Sequence, residues 1–368
     1  MPPEEKKEIE VLVKDLCLIP GLSGYEDGVR LFLQEKLKSN NINYSSDLLG
    51  NLIVTLPGKK NYPSVMLFAH MDQLGFVVKK IEDNGMIRIE RVGGVSEKAL
   101  ASQEVVIISK TGKKYFGVIG NKSHHATTQD EKYLVLSYKE MFVDAGFETK
   151  KAVELQGINI GSPITFSPKI KNISENCLVG TAIDDRAGRA VILEVAKAIS
   201  SDANRPTVHI IFSVQEEFNL RGVLPVAQTL LPGMAIQIDL MLASDTPDTK
   251  HAGDIHLGKG PCMSMYSFHG RGTLNGVIPH PKLVNHIENI ALKSPIHLQR
   301  SATTGILTDS SYVQLVDKGI AVIDMGFPMR YSHSSNEVCD LRDLVQLKKL
   351  LILSINSINN SFSLSRDE

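Results

Sequence analysis

Apolar and polar positions change rhythm twice along the chain. The stretches "PPEEKKEIEVLVKDLCLI" and "SGYEDGVRLFLQEKLKSN" carry apolar residues at helical spacing. They predict two amphipathic helices, the second with Val29, Leu31, Phe32 and Leu37 turned inward. "NLIVTLPG" predicts a short strand ended by Pro57 and Gly58. In "SVMLFAHMDQLGFVV" the unbroken apolar run Val65–Ala69 predicts a strand buried on both faces, which stops at His70. From about Gly75 the period shortens to two. "FVVKKIEDNGMIRIERVGG" predicts a hairpin around Asn84–Gly85, and "EVVIISKTGKKYFGVIG" another around Gly112. Helical periodicity is weak here except from about 130 to 145. After 169 helices and strands alternate again. "DDRAGRAVILEVAKAIS", "RGVLPVAQTLL", "LVNHIENIALKS" and "LRDLVQLKKLLILSINSI" predict helices, with Pro225 in the first turn of the second. "PTVHIIFSVQEE", "MAIQIDLML" and "GIAVIDMGF" predict strands.

Strands alternating with helices imply an α/β protein with a mainly parallel central sheet flanked by helices. Its domain would be discontinuous, 1–74 plus 169–368, interrupted by a small β-rich unit at 75–168. A length of 368 residues suits two domains. With 40 basic and 41 acidic residues the net charge is −1, so no field attracts nucleic acid or anionic lipid. No apolar run reaches the roughly 18 residues of a membrane span, and the N-terminus is too acidic for a signal peptide. Cys17, Cys177, Cys262 and Cys339 form no Cys-x-x-Cys pair. That pattern suits reduced thiols of a cytoplasmic protein rather than a disulfide scaffold or a thiolate zinc site.

The chemistry-bearing residues interrupt apolar strands near their ends. His70 ends one strand and Asp72 follows it. Asp184 and Asp185 stand just before a helix, Glu216 and Glu217 end a strand, Asp239 lies late in another, and His333 follows a fourth in "MRYSHSSNE". Open α/β sheets bind ligands at the carboxyl ends of their strands, where these side chains would meet. Imidazole and carboxylate without thiolate suit Zn²⁺, Co²⁺ or Mn²⁺ in a catalytic rather than a structural site. Two histidines and three carboxylates serve two ions if one carboxylate bridges, and such a pair can generate hydroxide and polarise a carbonyl. Asp72 is close enough in sequence to orient or tune His70.

"AHMDQLGF", "TAIDDRAG", "SVQEE", "QIDLMLASDTPD" and "RYSHSSNE", in this order and with "GLSGYE" and "LGKGP", closely resemble the M42 family of metal-dependent aminopeptidases. The resemblance runs over nearly the whole chain. It implies that His70 and Asp239 hold one ion, Glu217 and His333 the other, and Asp184 bridges them. Asp185 matches the residue after the bridge, where a cis peptide often shapes the site. Glu216 matches the catalytic general base and Asp72 the supporting aspartate. The implied reaction removes the N-terminal residue of a peptide by attack of a water activated between two Zn²⁺ or Co²⁺ ions. The implied fold has a barrel-like inserted domain that dimerises, and homodimers that assemble into a homododecamer. The sequence departs from the family with Gln73 for a usual Glu, Ile183 for a frequent Phe, "GILTDSS" for Gly-Gly-Thr-Asp-Ala, and an unusual "GNKSHHATTQDE".

Blander readings stand beside these. Asp185 can be a helix N-cap, Asp309 a cap, a support of the site or a substrate contact, and Glu216–Glu217 a solvated strand end. His124 and His125 read as loop histidines, which could reach a neighbouring subunit. His251, His256, His269, His280, His286 and His297 lack supporting spacing. "FHGRGTLNG" lacks the setting of a phosphate loop and reads as a turn. Loops near 251–272 and 305–311 would form the substrate pocket. Rival functions are a deacylase on the same ions, a glycoside hydrolase using two carboxyls without metal, and a non-catalytic shell or peptide-binding protein. The glycoside hydrolase leaves His70 and His333 unexplained.

Overall fold

The computed structural model describes residues 3–270 and 276–367. Of the "FHGRGTLNG" turn, residues 271–275 lie outside these. Four parallel strands form the centre of a large sheet, in the spatial order Val208–Ser213, Val65–His70, Met234–Leu242 and Ala321–Arg330. Every residue of Val65–His70 is buried. The pleat sends Val65, Leu67 and Ala69 to one face and Met66 and Phe68 to the other. The first face is covered by the helices Pro3–Cys17, Ile183–Ile199 and Leu341–Asn356, the second by Val223–Leu230.

Outside its centre the sheet is mixed: Cys262–Phe268 pairs antiparallel with Ala321–Arg330 and parallel with Gln299–Thr304. Leu52–Leu56 flanks one side antiparallel, and Glu337–Asp340 followed by Cys177–Gly180 flank the other antiparallel. Leu52–Leu56 and Glu337–Asp340 join their sequence neighbours in the sheet through a loop or a hairpin-like return, so nothing forces them parallel. Cys177–Gly180 instead leads through the helix Ile183–Ile199 to Val208–Ser213 and runs in the direction of the central strands.

Six further strands close into a barrel in the order Gly75–Ile81, Ile87–Val92, Phe142–Asp144, Lys114–Ile119, Glu104–Ile108 and Pro163–Phe166. The barrel has its own apolar core, including Phe76, Ile89, Val105, Ile107, Val143 and Ile164. Both expected hairpins are present. Gly85 and Gly112 take φ of +81° and +78°, the left-handed turn conformation that glycine adopts without steric cost.

Two expectations need correction. The region from about 130 to 145 forms turns and the strand Phe142–Asp144, and the nearby helix is Lys150–Leu155, capped by the Thr149 hydroxyl. That strand pairs with Ile87–Val92 and Lys114–Ile119, and closing the barrel outweighs a weak local preference for helix. Leu31 is 54% exposed, and Leu33 takes the inner position with Val29 and Leu37. Those three residues follow one another at i, i+4 and i+8, the true stripe of the helix.

Close strand packing places Asp239 opposite Gly326. A Cβ at Gly326 would clash with the Asp239 carbonyl oxygen. Gly326→Ala is expected to destabilise the fold by about 1–3 kcal/mol, measured by chemical unfolding. Gly253→Ala, where the added atom meets only the Ser244 side chain at 3.5 Å and beyond, should change stability by less than about 0.5 kcal/mol.

Candidate metal centre

The parallel strands deliver their C-terminal ends to one edge. His70 is the last residue of its strand, Asp239 lies near the end of the neighbouring one, and Glu216 and Glu217 follow Ser213. Asp184 opens the helix Ile183–Ile199, and His333 follows the strand Ala321–Arg330. Backbone strain gathers here. Ala182, Gln215, Asn219, Leu220 and His333 all have left-handed φ between +55° and +74°, a conformation non-glycine residues hold only when their surroundings impose it. The peptide between Asp184 and Asp185 is cis.

Asp184 is the hub. Its Oδ1 lies 3.1 Å from His70 Nε2, and its Oδ2 lies 3.4 Å from His333 Nε2. His333 Nε2 is also 3.6 Å from Glu217 Oε1. One potential ligand atom from each of His70, Asp184 and Asp239 lies within 4.8 Å of the others, and the same holds for Asp184, Glu217 and His333. The structure therefore brings all five residues expected as ligands together, with Asp184 common to both groups. Glu216 lines the same cavity.

The imidazoles are oriented from behind. His70 Nδ1 lies 3.2 Å from the Asp72 carbonyl oxygen and His333 Nδ1 2.7 Å from that of Gly94. A carbonyl can only accept, so each Nδ1 carries a proton, and Nε2 is the ring atom left facing Asp184, where it would bind a cation.

Buried carboxylates around the centre pin the backbone that carries these residues. Asp72 accepts the Glu216 and Glu217 amides at 3.0 and 2.9 Å and the Ser23 hydroxyl at 2.6 Å. Its carboxylate is also 3.5 Å from His70 Nδ1. Glu337 accepts the Asp184 amide at 3.1 Å and the His333 amide at 2.9 Å. Glu26 accepts the Gln215 amide at 3.1 Å. Arg186 and Arg189, both fully buried, donate to the Met71 carbonyl at 2.9 and 2.6 Å and hold the turn between His70 and Asp72. Gln73 accepts from Arg186 and from the Gly21 amide through its side-chain oxygen, a task that needs no charge.

Sequence reasoning passed over Glu337, Glu26, Arg186 and Arg189. Two signals pointed to three of them. Glu337 closes the "RYSHSSNE" string, and the two arginines sit at i and i+3 among the small and apolar residues Ala187, Gly188, Ala190, Val191 and Ile192.

The electrostatics suit a cation. Burial, reinforced by the Asp184 charge, raises Asp239 to about 7. Burial also raises Glu217 to about 7, against the pull of His333. Glu216 is pushed well above its ordinary range by burial, with Asp239, Asp309 and Glu217 adding to it against His70. Burial would raise Asp184 too, but His333 and His70 bring it below the usual carboxylate range. Burial would depress His70, yet Glu216, Asp184 and Asp72 hold it well above its usual value. Negative charge thus exceeds what the nearby donors neutralise, and the all-nitrogen and oxygen donor set fits borderline divalent cations.

The remaining candidates fall elsewhere. Asp185 Oδ1 accepts the Gly188 amide at 3.0 Å, a capping bond at the start of the helix. Asp309 is buried beneath the centre, with Oδ2 3.5 Å from the Ser213 hydroxyl and no capping bond of its own. His124 and His125 are exposed on the barrel and face each other with ring centroids 5.7 Å apart. Neither joins a metal-competent cluster among the described residues.

The profile of a known family, M42 glutamyl aminopeptidase, matches residues 50–350. The chain belongs to the M42 peptidase family. It shares 35% identity over 90% of its length with the putative aminopeptidase SgcX of Escherichia coli, covering 88% of that protein. The solved aminopeptidase of the archaeon Desulfurococcus kamchatkensis superimposes with a TM-score of 0.89 at 32% identity, over 97% of this chain and 96% of that one. The Pyrococcus horikoshii TET1 peptidase, which can assemble into a tetrahedron or a large octahedral shell, gives a TM-score of 0.84 at 28% identity, covering 95% and 100%. This M42 chain is thus a metal-dependent aminopeptidase with the two-part architecture of its relatives. None of its described helices is long and apolar enough to cross a membrane.

Asp72→Asn leaves a single acceptor oxygen for two backbone donors. Metal affinity is expected to fall about 10–100-fold, as for other residues that orient ligands from behind, measured by competition with a chelator. Unfolding stability should drop by about 1–3 kcal/mol. An unchanged affinity would remove Asp72 from the site's support.

Proposed function

We propose that this M42 peptidase removes N-terminal residues from peptides with two divalent ions per subunit, Zn²⁺ or Co²⁺. His70 and Asp239 would hold one ion, Glu217 and His333 the other, and Asp184 both. The observation that carries this reading is the position of Asp184, with its two carboxylate oxygens facing the Nε2 atoms of two separate histidines. Such ions supply Lewis acidity and a water acidified to a pKa of about 7.

The chain's own residues do the rest. Glu216 is the general base: it takes the proton of the attacking water and returns it to the leaving nitrogen. Help of this kind is worth roughly 10²–10⁴-fold in rate. Asp72 acts behind it as a positioning residue, since the Glu216 amide is one of its bonds. The Asp184–histidine pairs also weigh against the glycoside hydrolase reading, which has no use for two imidazoles aimed at one carboxylate.

The barrel unit, residues 75–168, is assigned to dimerisation, and the dimers to a homododecamer. The exposed apolar side chains of Phe116, Val118, Tyr133 and Leu134 on that unit support the assignment, as does the shell of the TET1 relative. The cytoplasm is the proposed compartment, consistent with four cysteines that form no disulfide.

Glu216→Gln is expected to keep near-normal metal content by elemental analysis while kcat falls by about 10²–10⁴. A variant hydrolysing peptides at the normal rate would refute Glu216 as base. Dialysis against a chelator should abolish hydrolysis of aminoacyl-amides by the wild-type protein, and added Zn²⁺ or Co²⁺ should restore it. Activity that persists in metal-free protein would overturn the metal assignment. Light scattering separates two chains per particle from twelve.

A further inference from the structure

The cavity over the metal centre has a volume of about 530 Å³, large enough for a substrate side chain beyond the reacting groups. Its chemistry divides in two. One wall holds Asp184, Glu216, Glu217 and Asp239 with the two histidines. The rest carries five apolar side chains, Leu220, Leu240, Leu242, Ile306 and Leu307, beside the polar Asn219, His269 and Ser332. Leu240 and Leu242 stand at i and i+2 on one strand and share a face. Ile306 and Leu307 come from the loop before Asp309, and Leu220 from the loop after Glu217.

Among the described residues no lysine or arginine lines the cavity, and His269 is the one imidazole outside the metal centre, so an acidic side chain would meet no permanent counter-charge among them. Every carboxylate lining it belongs to the metal centre or is its general base, so a basic side chain would find no free partner either. A charged group leaving water for such a wall loses hydration without compensation. An aliphatic group gains by burial.

Resting on the peptidase reading above, we propose that this site selects peptides whose N-terminal residue is aliphatic, such as leucine or methionine, over acidic or basic ones. Leu240, Leu242, Ile306 and Leu307 are the residues that set this choice.

The test compares kcat/KM of the metal-loaded wild-type protein on the tripeptides Leu-Ala-Ala, Met-Ala-Ala, Glu-Ala-Ala and Lys-Ala-Ala. Leucine and methionine should exceed glutamate and lysine by about 10–100-fold, the range over which apolar pockets discriminate. Calorimetry of the same peptides on the metal-loaded Glu216→Gln protein should give the same ranking in Kd. Leu242 is 42% exposed and can carry a charge without burying it. Leu242→Lys should therefore raise the glutamate-to-leucine ratio of kcat/KM, and Leu242→Glu the lysine-to-leucine ratio, each at least about tenfold. Glutamate or lysine cleaved as well as leucine by the wild type would overturn the proposal and leave the peptidase reading intact. Selective binding of Leu-Ala-Ala without cleavage of any peptide by the wild type would sustain the pocket assignment and overturn the peptidase reading. Absence of both would overturn both.

Discussion

Buried carboxylates repel one another, and this constraint shapes the whole centre. Asp184, Glu216, Glu217 and Asp239 converge at one edge of the sheet with little solvent around them. In a medium of low polarity such a group is tolerable only if donors fix each member and cations balance the total. The fold answers the first need in part: two imidazoles face Asp184 and Glu217, and the Leu240 amide and Gln237 side chain donate to Asp239. The donor set answers the second by fitting divalent ions.

Rigidity comes from a second ring of charge. Asp72, Glu26 and Glu337 lie outside the five converging residues, yet each accepts amides from residues of the centre or their neighbours. Charge-assisted bonds of this type are stronger than neutral ones. They can hold Gln215 and His333 in left-handed conformations that would otherwise relax. Arg186 and Arg189 complete the ring by clamping the Met71 carbonyl between His70 and Asp72. Strain at the centre is thus offset by hydrogen bonds just outside it.

The two parts of the chain meet at this ring. The barrel is closed and has its own core, so its edges are spent on itself. It leaves the catalytic sheet directly after Asp72 and Gln73. From the far side of its first hairpin it returns the Gly94 carbonyl to orient His333. One wall of the centre therefore depends on a residue from the inserted unit.

Much of this was legible from one dimension. The unbroken apolar run before His70 announced a strand buried on both faces, because only a central strand avoids water on each side. The glycine turns at 85 and 112 announced hairpins, because few residues take positive φ freely. The order of histidines and acids at strand ends, read through the family resemblance, named the residues that now meet around Asp184. Tertiary structure alone decided the rest. Closure of the barrel made residues 142–144 a strand, since ring pairing is set by partners far away in sequence. The direction of the sheet margins followed from how their connections return. The tasks of Glu337, Glu26, Arg186 and Arg189 were invisible for the same reason: a lone charged residue carries no mark of its partner until folding places a backbone amide or carbonyl within about 3 Å of it.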